Sequence, residues 1–370
     1  MRIVMGISVL AAFAAQSAFP LHFVSFGDQR TNQGTAQSVI DAISKVNPDL
    51  VLVSGDLWDG YGAANYKTML TKNANISKLL DSNLYLVARG NHESVPEVLA
   101  FKPSIVRDGK ELYSFTKGNS FFVCLAMDPN AATAFLEQQL QTPAAKAATW
   151  KFVYSHYPVY STGDHGSQGM PNVEKICDKY GVNMVFNGHD HIYERSHQMY
   201  AGKVVDKGDA LTAEKGTVYM VVGGGGAPLY GVGTATFSHI AKSVNNFTEL
   251  TTDEHQITVK ALNPSGAVID AFTIAKGSTV SVAAQPTAPD AIKLNLVAAQ
   301  RMAILSFDPI NTKGGVLEIH SPTGALMKKN ALAPGQTSLA WKYGPAAQGE
   351  YLAVLRDGTN QYSRKIPVLK

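Results

Sequence analysis

Short apolar runs alternate with amphipathic stretches over the first two thirds of the chain. The run LHFVSF at residues 21–26 precedes TAQSVIDAISKV, in which apolar residues fall on one helical face. Helical patterns also occur at residues 66–81, in AATAFLEQQL and at 173–180, between the apolar runs DLVLVS, LYLVA, FFVCLAM, KFVYS, VNMVF and TVYMVV. Strands separated by helices of this length indicate an α/β fold with largely parallel pairing.

The pattern changes towards the end of the chain. The stretch HQITVKALNPSGAVIDAFTI predicts a β-hairpin, so we expect the sheet to be mixed. Residues 277–290 are small, polar and proline-bearing, which is typical of a linker. Residues 291–370 contain short alternating runs split by Gly, Pro and Asn. They predict a second, small all-β domain with an immunoglobulin-like sandwich.

The first 18 residues have the pattern of a secretory signal peptide. One early Arg is followed by an apolar stretch that is too short to span a bilayer and ends among small residues. A buried first strand is the less favoured alternative, because a better strand pattern follows at once. We therefore predict an exported protein, secreted or at the cell surface, whose first folded domain covers residues 19–276. The exact cleavage site stays open.

The amino-acid composition argues against some classes of partner and against a disulfide-rich protein. The 370 residues are 45% hydrophobic and only 16% charged, with a net charge of +3 and no basic run. This argues against nucleic acid or an anionic membrane as a partner. Two cysteines, Cys124 and Cys177, are too few for a disulfide framework. Two buried thiols are favoured, and a single disulfide stays open.

Polar side chains that can ligate metals follow five of the apolar runs. A lone Asp at a strand end is usually a cap, and a lone His is usually a satisfied structural group. Five such ends together are harder to explain in this way. The carboxyl ends of strands line the ligand crevice of an open α/β sheet, so we expect these side chains to converge. They are Asp28, Asp56, Asn91 with His92, His156, and His189 with His191.

Carboxylate, amide and imidazole groups suit Zn²⁺, Mn²⁺ or Fe²⁺, and this number of donors can hold more than one ion. A glycine precedes Asp28, Asp56, Asn91 and His189. We expect these glycines to let the chain turn sharply as it leaves the sheet.

The order GD, GD, GNHE, H and GHDH resembles the calcineurin-like metallophosphoesterase superfamily. The segments FNGHDHIYERS, YSHYPVYSTGDHGS and YMVVGGGGAPLY are most similar to its purple-acid-phosphatase-like branch, and the resemblance covers about residues 21–275. It implies a four-layer α/β/β/α sandwich and two divalent metal ions, Fe, Mn or Zn. If the ligand positions of the family are carried over to this sequence, Asp28, Asp56 and His191 hold one ion. Asp56 bridges to a second ion held by Asn91, His156 and His189.

The resemblance places His92 beside the substrate phosphate, as an orienting group or general acid.

Two positions depart from the family. Arg30 stands where many relatives have a His ligand, and Asp59 stands where purple acid phosphatases have a Tyr ligand. Either Asp59 or water fills the gap, or the first ion is bound weakly. Arg30 either binds the substrate phosphate or is an ordinary surface residue.

Two further segments have open interpretations. His165 matches a loop that borders the substrate in relatives, so it either contacts phosphate or is a solvated loop residue. The GGGG at 223–226 predicts a close-packed turn beside the metal site, with a phosphate-binding nest as the alternative.

The C-terminal domain resembles β-sandwich sorting domains of type IX secretion substrates, which implies the secretion machinery as a partner. A generic carbohydrate- or surface-binding domain stays open.

The resemblance implies metal-assisted hydrolysis of phosphate monoesters, in which a water made acidic by the metal ions attacks in line as hydroxide. The expected substrate is a small phosphate ester. A phosphodiesterase or nucleotidase with the same site is the first alternative, because the ligands do not encode the leaving group. A non-catalytic protein that binds surfaces through its β-sandwich is the second.

Overall fold

A computed structural model describes residues 21–102, 110–168, 172–276, 292–297, 302–307, 314–321, 326–343, 349–357 and 360–368. The predicted signal peptide and linker lie outside these ranges, so both stay predictions, as does export. The chain divides into two compact units, Met1–Thr279 and Val280–Lys370. Among the helices of the described ranges, none is long and apolar enough to cross a membrane.

Side-chain caps define where several helices of the first unit begin. The Asn32 side chain accepts a hydrogen bond from Thr35 N, and Ser94 and Glu97 form a capping box. The helices are α1 Gln33–Val46, α2 Gly62–Thr71, α3 Ala74–Asp81, α4 Val95–Phe101, α5 Pro129–Leu140, α6 Pro143–Ala147 and α7 Val173–Tyr180. The single helix expected at 66–81 is thus two helices. Asn73 between them has an extended backbone, and its side chain donates to Asp41.

Fifteen strands are described in the first unit. They are β1 Leu21–Phe26, β2 Leu50–Val53, β3 Tyr85–Val87, β4 Tyr113–Lys117, β5 Ser120–Cys124, β6 Trp150–Tyr154, β7 Met184–Asn187, β8 Tyr193–Tyr200, β9 Lys203–Asp206, β10 Ala210–Thr212, β11 Thr217–Val222, β12 Ser238–Lys242, β13 Phe247–Thr252, β14 Gln256–Leu262 and β15 Val268–Ala275. The first sheet has the order β10-β15-β14-β13-β1-β2-β3, and the second has the order β12-β8-β11-β7-β6-β5-β4 with β9 paired to β8. Strands β1, β2 and β3 are parallel, as are β5, β6, β7 and β11.

The two sheets pack face to face through aromatic side chains. Phe23 of the first sheet contacts Phe122, Phe152 and Phe186 of the second, with ring centroids 5.4, 5.1 and 6.3 Å apart. Side chains alternate across a strand, so the next residue along each of these strands faces the other way. In the second sheet, Val123, Val153 and Val185 join a buried cluster with α5, α6 and α7, while α1 and α3 contact β13 and β3 of the first sheet. The predicted mixed α/β fold is confirmed.

The second unit is rich in strands, and its described residues include no helix. Its strands are β16 Ile292–Val297, β17 Met302–Phe307, β18 Gly315–His320, β19 Leu326–Leu332, β20 Ser338–Lys342, β21 Gly349–Asp357 and β22 Asn360–Val368. They form two antiparallel sheets, β16-β17-β20 and β19-β18-β21-β22. Residues of both sheets, among them Leu305, Leu317 and Trp341, share one buried cluster. The sorting or surface-binding role of this unit stays a prediction.

Candidate metal centre

Five parallel strands of the two sheets end beside one another and place the proposed metal ligands. Strands β1, β2 and β3 lead to Asp28, Asp56 and Asn91, and β6 and β7 lead to His156 and His189. Suitable donor atoms of Asp28, Asp56 and His156, all of them buried, lie within 4.8 Å of one another. The remaining candidates adjoin this group. The structure therefore brings all six predicted ligands together.

The glycines that precede the candidate ligands are needed mainly because other groups lie very close to their backbone. Of the four glycines expected to make turns, only Gly55 has a positive φ, of 93°. A Cβ at Gly90 would lie 2.1 Å from Asp56 Oδ1, and one at Gly188 would lie 2.4 Å from Asp28 Oδ2. The expected reason was therefore wrong for Gly90 and Gly188, which have no side chain because a carboxylate occupies that space.

Three of the candidate ligands themselves have a left-handed backbone conformation, with positive φ. Asp28, Asp56 and His189 have φ values of 63°, 56° and 70°. Residues other than glycine rarely adopt this conformation, and such strain concentrates at functional sites. The chain thus maintains three unfavourable backbone conformations at the positions from which these side chains enter the centre.

In one half of the centre, the lone pair of His156 faces the side-chain oxygen of Asn91. His156 Nδ1 lies 2.6 Å from the Ser54 carbonyl oxygen and must donate to it, which leaves the lone pair on Nε2. That atom lies 2.8 Å from Asn91 Oδ1, and His189 Nδ1 lies 3.0 Å from the same oxygen. An imidazole that donates one N–H to a backbone carbonyl and presents its other nitrogen to acceptors has the arrangement of a metal ligand.

The other half contains Asp28 and His191. His191 Nδ1 lies 2.7 Å from the Pro228 carbonyl oxygen, so Nε2 again carries the lone pair. This buried Nε2 lies 3.7 Å from Asp28 Oδ1 and has no hydrogen-bond partner among the described residues. Asp28 is fixed by the backbone N–H of His189. An unpartnered buried lone pair beside a buried carboxylate fits a bound cation.

The electrostatics of the centre also favour a cation. Burial, and then the charge of Asp56, raises the pKa of Asp28 well above its usual value. Burial lowers the pKa of His156, that of His189 to about 3 and that of His191 to about 4. The imidazoles are therefore neutral and available as ligands, and a cation beside the buried Asp28 would favour the ionised form of its carboxyl group. The donor set fits divalent metal ions.

Arg30 and His92 lie on the open side of the centre, and Asp59 contacts both. Arg30 Nε lies 3.2 Å from Asp56 Oδ2, and Nη1 lies 3.6 Å from Asp59 Oδ2. His92 Nδ1 lies 2.9 Å from Asp59 Oδ2, while Nε2 lies 3.9 Å from Asp56 Oδ2. Asp59, one candidate for the missing ligand, thus pairs with Arg30 and His92 in this structure. Arg30 is not a solvated surface residue, since its side chain is 16% exposed.

His165 lies over the centre on a loop that a buried carboxylate holds. Its ring stacks on His189 at a centroid distance of 4.4 Å. Asp190 accepts hydrogen bonds from Ser161 Oγ at 2.5 Å and from His165 N at 2.9 Å. Tyr230 stacks on His191 at 4.1 Å and contacts the His165 ring edge-on. The sequence contained Asp190 within GHDH, but it gave no sign that this side chain holds the loop.

Glu93 is a second residue whose role the sequence reasoning missed. It is buried, and its carboxylate accepts hydrogen bonds from the backbone N–H groups of Asp56, Leu57 and Gly90. These contacts tie the segment after β2 to the segment after β3. The only available signal was its place in GNHE. Hydrogen bonds from three N–H groups to one buried side chain fix the backbone that presents Asp56 and Asn91.

The four glycines at 223–226 form a close-packed turn. A Cβ at Gly223 would lie 2.1 Å from the Asp190 carbonyl oxygen and 2.9 Å from Asp28 Oδ2. At Gly225 it would lie 2.1 Å from the Gly27 carbonyl oxygen. The favoured interpretation of this segment, a tight turn against the metal site, agrees with these contacts.

The comparison with protein families agrees with this geometry. The family model described as calcineurin-like phosphoesterase matches residues 21–193, which include all six candidate ligands. The chain contains a calcineurin-like metallophosphoesterase domain. The purple acid phosphatase PPD1 of yellow lupin (Lupinus luteus) has a similar fold over the matched part, with a TM-score of 0.59 at 22% identity. The match covers 70% of this chain and 55% of that one.

Curated relatives of this chain have names that indicate different activities. The probable inactive purple acid phosphatase 27 of Arabidopsis thaliana is 28% identical over 273 residues, or 62% of this chain and 43% of that protein. A nucleotide pyrophosphatase/phosphodiesterase of Hordeum vulgare is 32% identical over 155 residues, or 38% of this chain and 42% of that protein. The matched part is thus less than half the length of either relative.

Proposed function

We propose that this metallophosphoesterase hydrolyses phosphate monoesters and depends on divalent metal ions. The observation that carries the proposal is the convergence of six residues with oxygen or nitrogen donor atoms, among which the lone pair of His156 Nε2 faces Asn91 Oδ1. Bound divalent cations neutralise the charge of phosphoryl oxygens and lower the pKa of water, which is the chemistry that phosphate-ester hydrolysis needs. Asp28, Asp56, Asn91, His156, His189 and His191 would hold them.

His92 is the residue best placed to act on the leaving group. Its Nδ1 contacts the Asp59 carboxylate, which fixes the ring, and its Nε2 points toward Asp56 at the centre. With its side chain about one third exposed, His92 can reach a substrate that enters from solvent. A proton held at Nε2 would pass to the departing alkoxide oxygen, and a hydrogen bond from the same atom would orient the phosphate.

A groove beside His92 offers room for the leaving group. Its volume is about 860 Å³, which lies within the usual range for sites that bind small molecules. Its walls combine aromatic rings with amides and carboxylates, and they include Gln33, Trp58, Asp59, Tyr61, Asn65, His92, Glu97 and Phe101. The groove therefore supports a small-molecule phosphate ester as the substrate.

Phosphodiester hydrolysis is the second candidate, and the name of the Hordeum vulgare relative, a nucleotide pyrophosphatase/phosphodiesterase, favours it. The same ligands serve both reactions, since the difference lies in the leaving group and in one phosphate substituent. The name of the Arabidopsis thaliana relative raises a non-catalytic alternative. The six candidate ligands retained in this chain support an active enzyme instead.

The deciding experiment compares 4-nitrophenyl phosphate with bis(4-nitrophenyl) phosphate, using full-length protein loaded with Mn²⁺, Zn²⁺ or Fe²⁺. We expect a higher kcat/KM for the monoester and no turnover of either ester by the Asp56→Ala variant. A higher kcat/KM for the diester would favour the second candidate. Turnover of neither ester, with any of these ions, would favour the non-catalytic alternative.

A further inference from the structure

The carboxylate shared by the two halves of the metal centre has different neighbours at its two oxygens. Asp56 Oδ1 lies 3.4 Å from His156 Nε2, on the side of Asn91 and His189. Asp56 Oδ2 lies 3.2 Å from Arg30 Nε. The Asp56 side chain is 1% exposed and that of Arg30 is 16% exposed, so water screens this pair only weakly.

The Arg30 contact is electrostatic. Arg30 Nε has no partner in hydrogen-bonding geometry among the described residues, although it lies within ion-pair distance of Asp56. Asp59 holds the guanidinium from the other side, and the Tyr230 hydroxyl interacts with it as well. Three groups thus keep a permanent positive charge beside Asp56 Oδ2, and this charge also acts on Asp28 and His191.

The two halves of the centre therefore offer a divalent cation different environments. The half with Asn91, His156 and His189 presents three neutral donors, together with Asp56 Oδ1. In the other half the guanidinium partly neutralises the shared carboxylate and repels a second cation. A guanidinium stays protonated in proteins and cannot ligate a metal, so Arg30 adds charge where a ligand is needed.

We propose that Arg30 makes the metal centre unequal. One divalent cation is held tightly by Asp56, Asn91, His156 and His189. The half formed by Asp28, Asp56 and His191 holds its ion at least about tenfold more weakly, because a like charge lies beside the shared carboxylate. Arg30 then provides part of the positive charge that a second tightly bound ion would supply. The inference rests on the metal-binding part of the proposed function.

The test measures metal content and needs no activity. Full-length protein is loaded with Mn²⁺, dialysed against metal-free buffer and analysed by elemental mass spectrometry, with titration calorimetry for the two affinities. We expect about one retained ion per chain, two binding steps at least about tenfold apart in Kd, and the electron paramagnetic resonance spectrum of isolated Mn²⁺. Two retained ions of equal affinity with an exchange-coupled spectrum would overturn the proposal.

Two matched variants separate charge from ligation. Arg30→His replaces the guanidinium with an imidazole and should raise retention to about two ions per chain with an exchange-coupled signal. Arg30→Lys keeps the charge and should retain about one ion, as the wild type does. A wild-type stoichiometry in Arg30→His, with the protein folded by circular dichroism, would contradict the inference. If the wild-type chain binds no metal, both this inference and the proposed metal dependence are wrong. If it binds metal but does not hydrolyse either ester, only the proposed function is wrong.

Discussion

A buried ion pair links the two sheets of the metallophosphoesterase domain, and its removal should lower stability measurably. Arg195 on β8 of the second sheet is 1% exposed, and Asp270 on β15 of the first sheet is 8% exposed. Arg195 Nε donates to Asp270 Oδ2 at 2.6 Å and Nη2 donates to Asp270 Oδ1 at 3.1 Å. The guanidinium also packs on the Phe272 ring at 4.3 Å.

Asp270→Ala would leave the Arg195 charge buried and would remove an acceptor from the Tyr193 hydroxyl. Removing one partner of a buried pair typically costs about 3–5 kcal/mol. Asp209 still accepts from Arg195 Nη2 at 2.7 Å and is largely exposed, so the lower end applies. We expect a loss of about 3 kcal/mol, or about 6–12 °C in Tm for a domain of this size.

The assay is differential scanning calorimetry of wild-type and variant proteins at one metal concentration, because bound ligand also shifts Tm. The control is Lys179→Met, which breaks the exposed pair between Lys179 and Glu137 and should leave Tm within error. A shift below about 2–4 °C for Asp270→Ala, or an equal shift in both variants, would refute the reasoning about this pair.

Three further predictions concern the site and the domain organisation. His92→Ala should keep metal content near wild type and lower kcat by about 10²–10⁴-fold, and loss of metal would instead make His92 a ligand. Asp190→Asn should loosen the loop that carries His165 and lower kcat/KM by roughly 10- to 100-fold without loss of metal, and an unchanged kcat/KM would contradict that positioning role. A chain ending at Lys276 should fold and hydrolyse substrate, because every candidate ligand precedes that residue, and an inactive truncated protein with bound metal would show that the second unit is required.

The sequence predicted that the candidate ligands converge because the signal was local. Each of them follows an apolar run, and parallel strands present their carboxyl ends at one edge, so Asp28, Asp56 and His189 could be proposed as neighbours without coordinates. The antiparallel pairing of β1 with β13, which matches Leu21 with Thr252, had no such signal. The two strands are distant in the chain, and nothing in the local pattern of either one specifies its partner.

The roles of Glu93 and Asp190 could not be predicted from the sequence, for a different physical reason. Glu93 and Asp190 act through hydrogen bonds to the backbone of other loops, and a sequence shows neither which loops meet nor where their N–H groups point. Arg30 was ambiguous for the same reason. Its substitution for a ligand was visible, but its position beside the shared carboxylate required the fold.

Metal removal and restoration test the central claim most directly. The full-length protein is stripped with a chelator, its metal content and 4-nitrophenyl phosphate turnover are measured, and both are measured again as Mn²⁺ or Zn²⁺ is returned. We expect turnover to vanish in the stripped protein and to rise with bound metal, while Asp56→Ala stays inactive at every metal concentration because it lacks the shared carboxylate. Substantial turnover by protein shown to be free of metal would contradict the account.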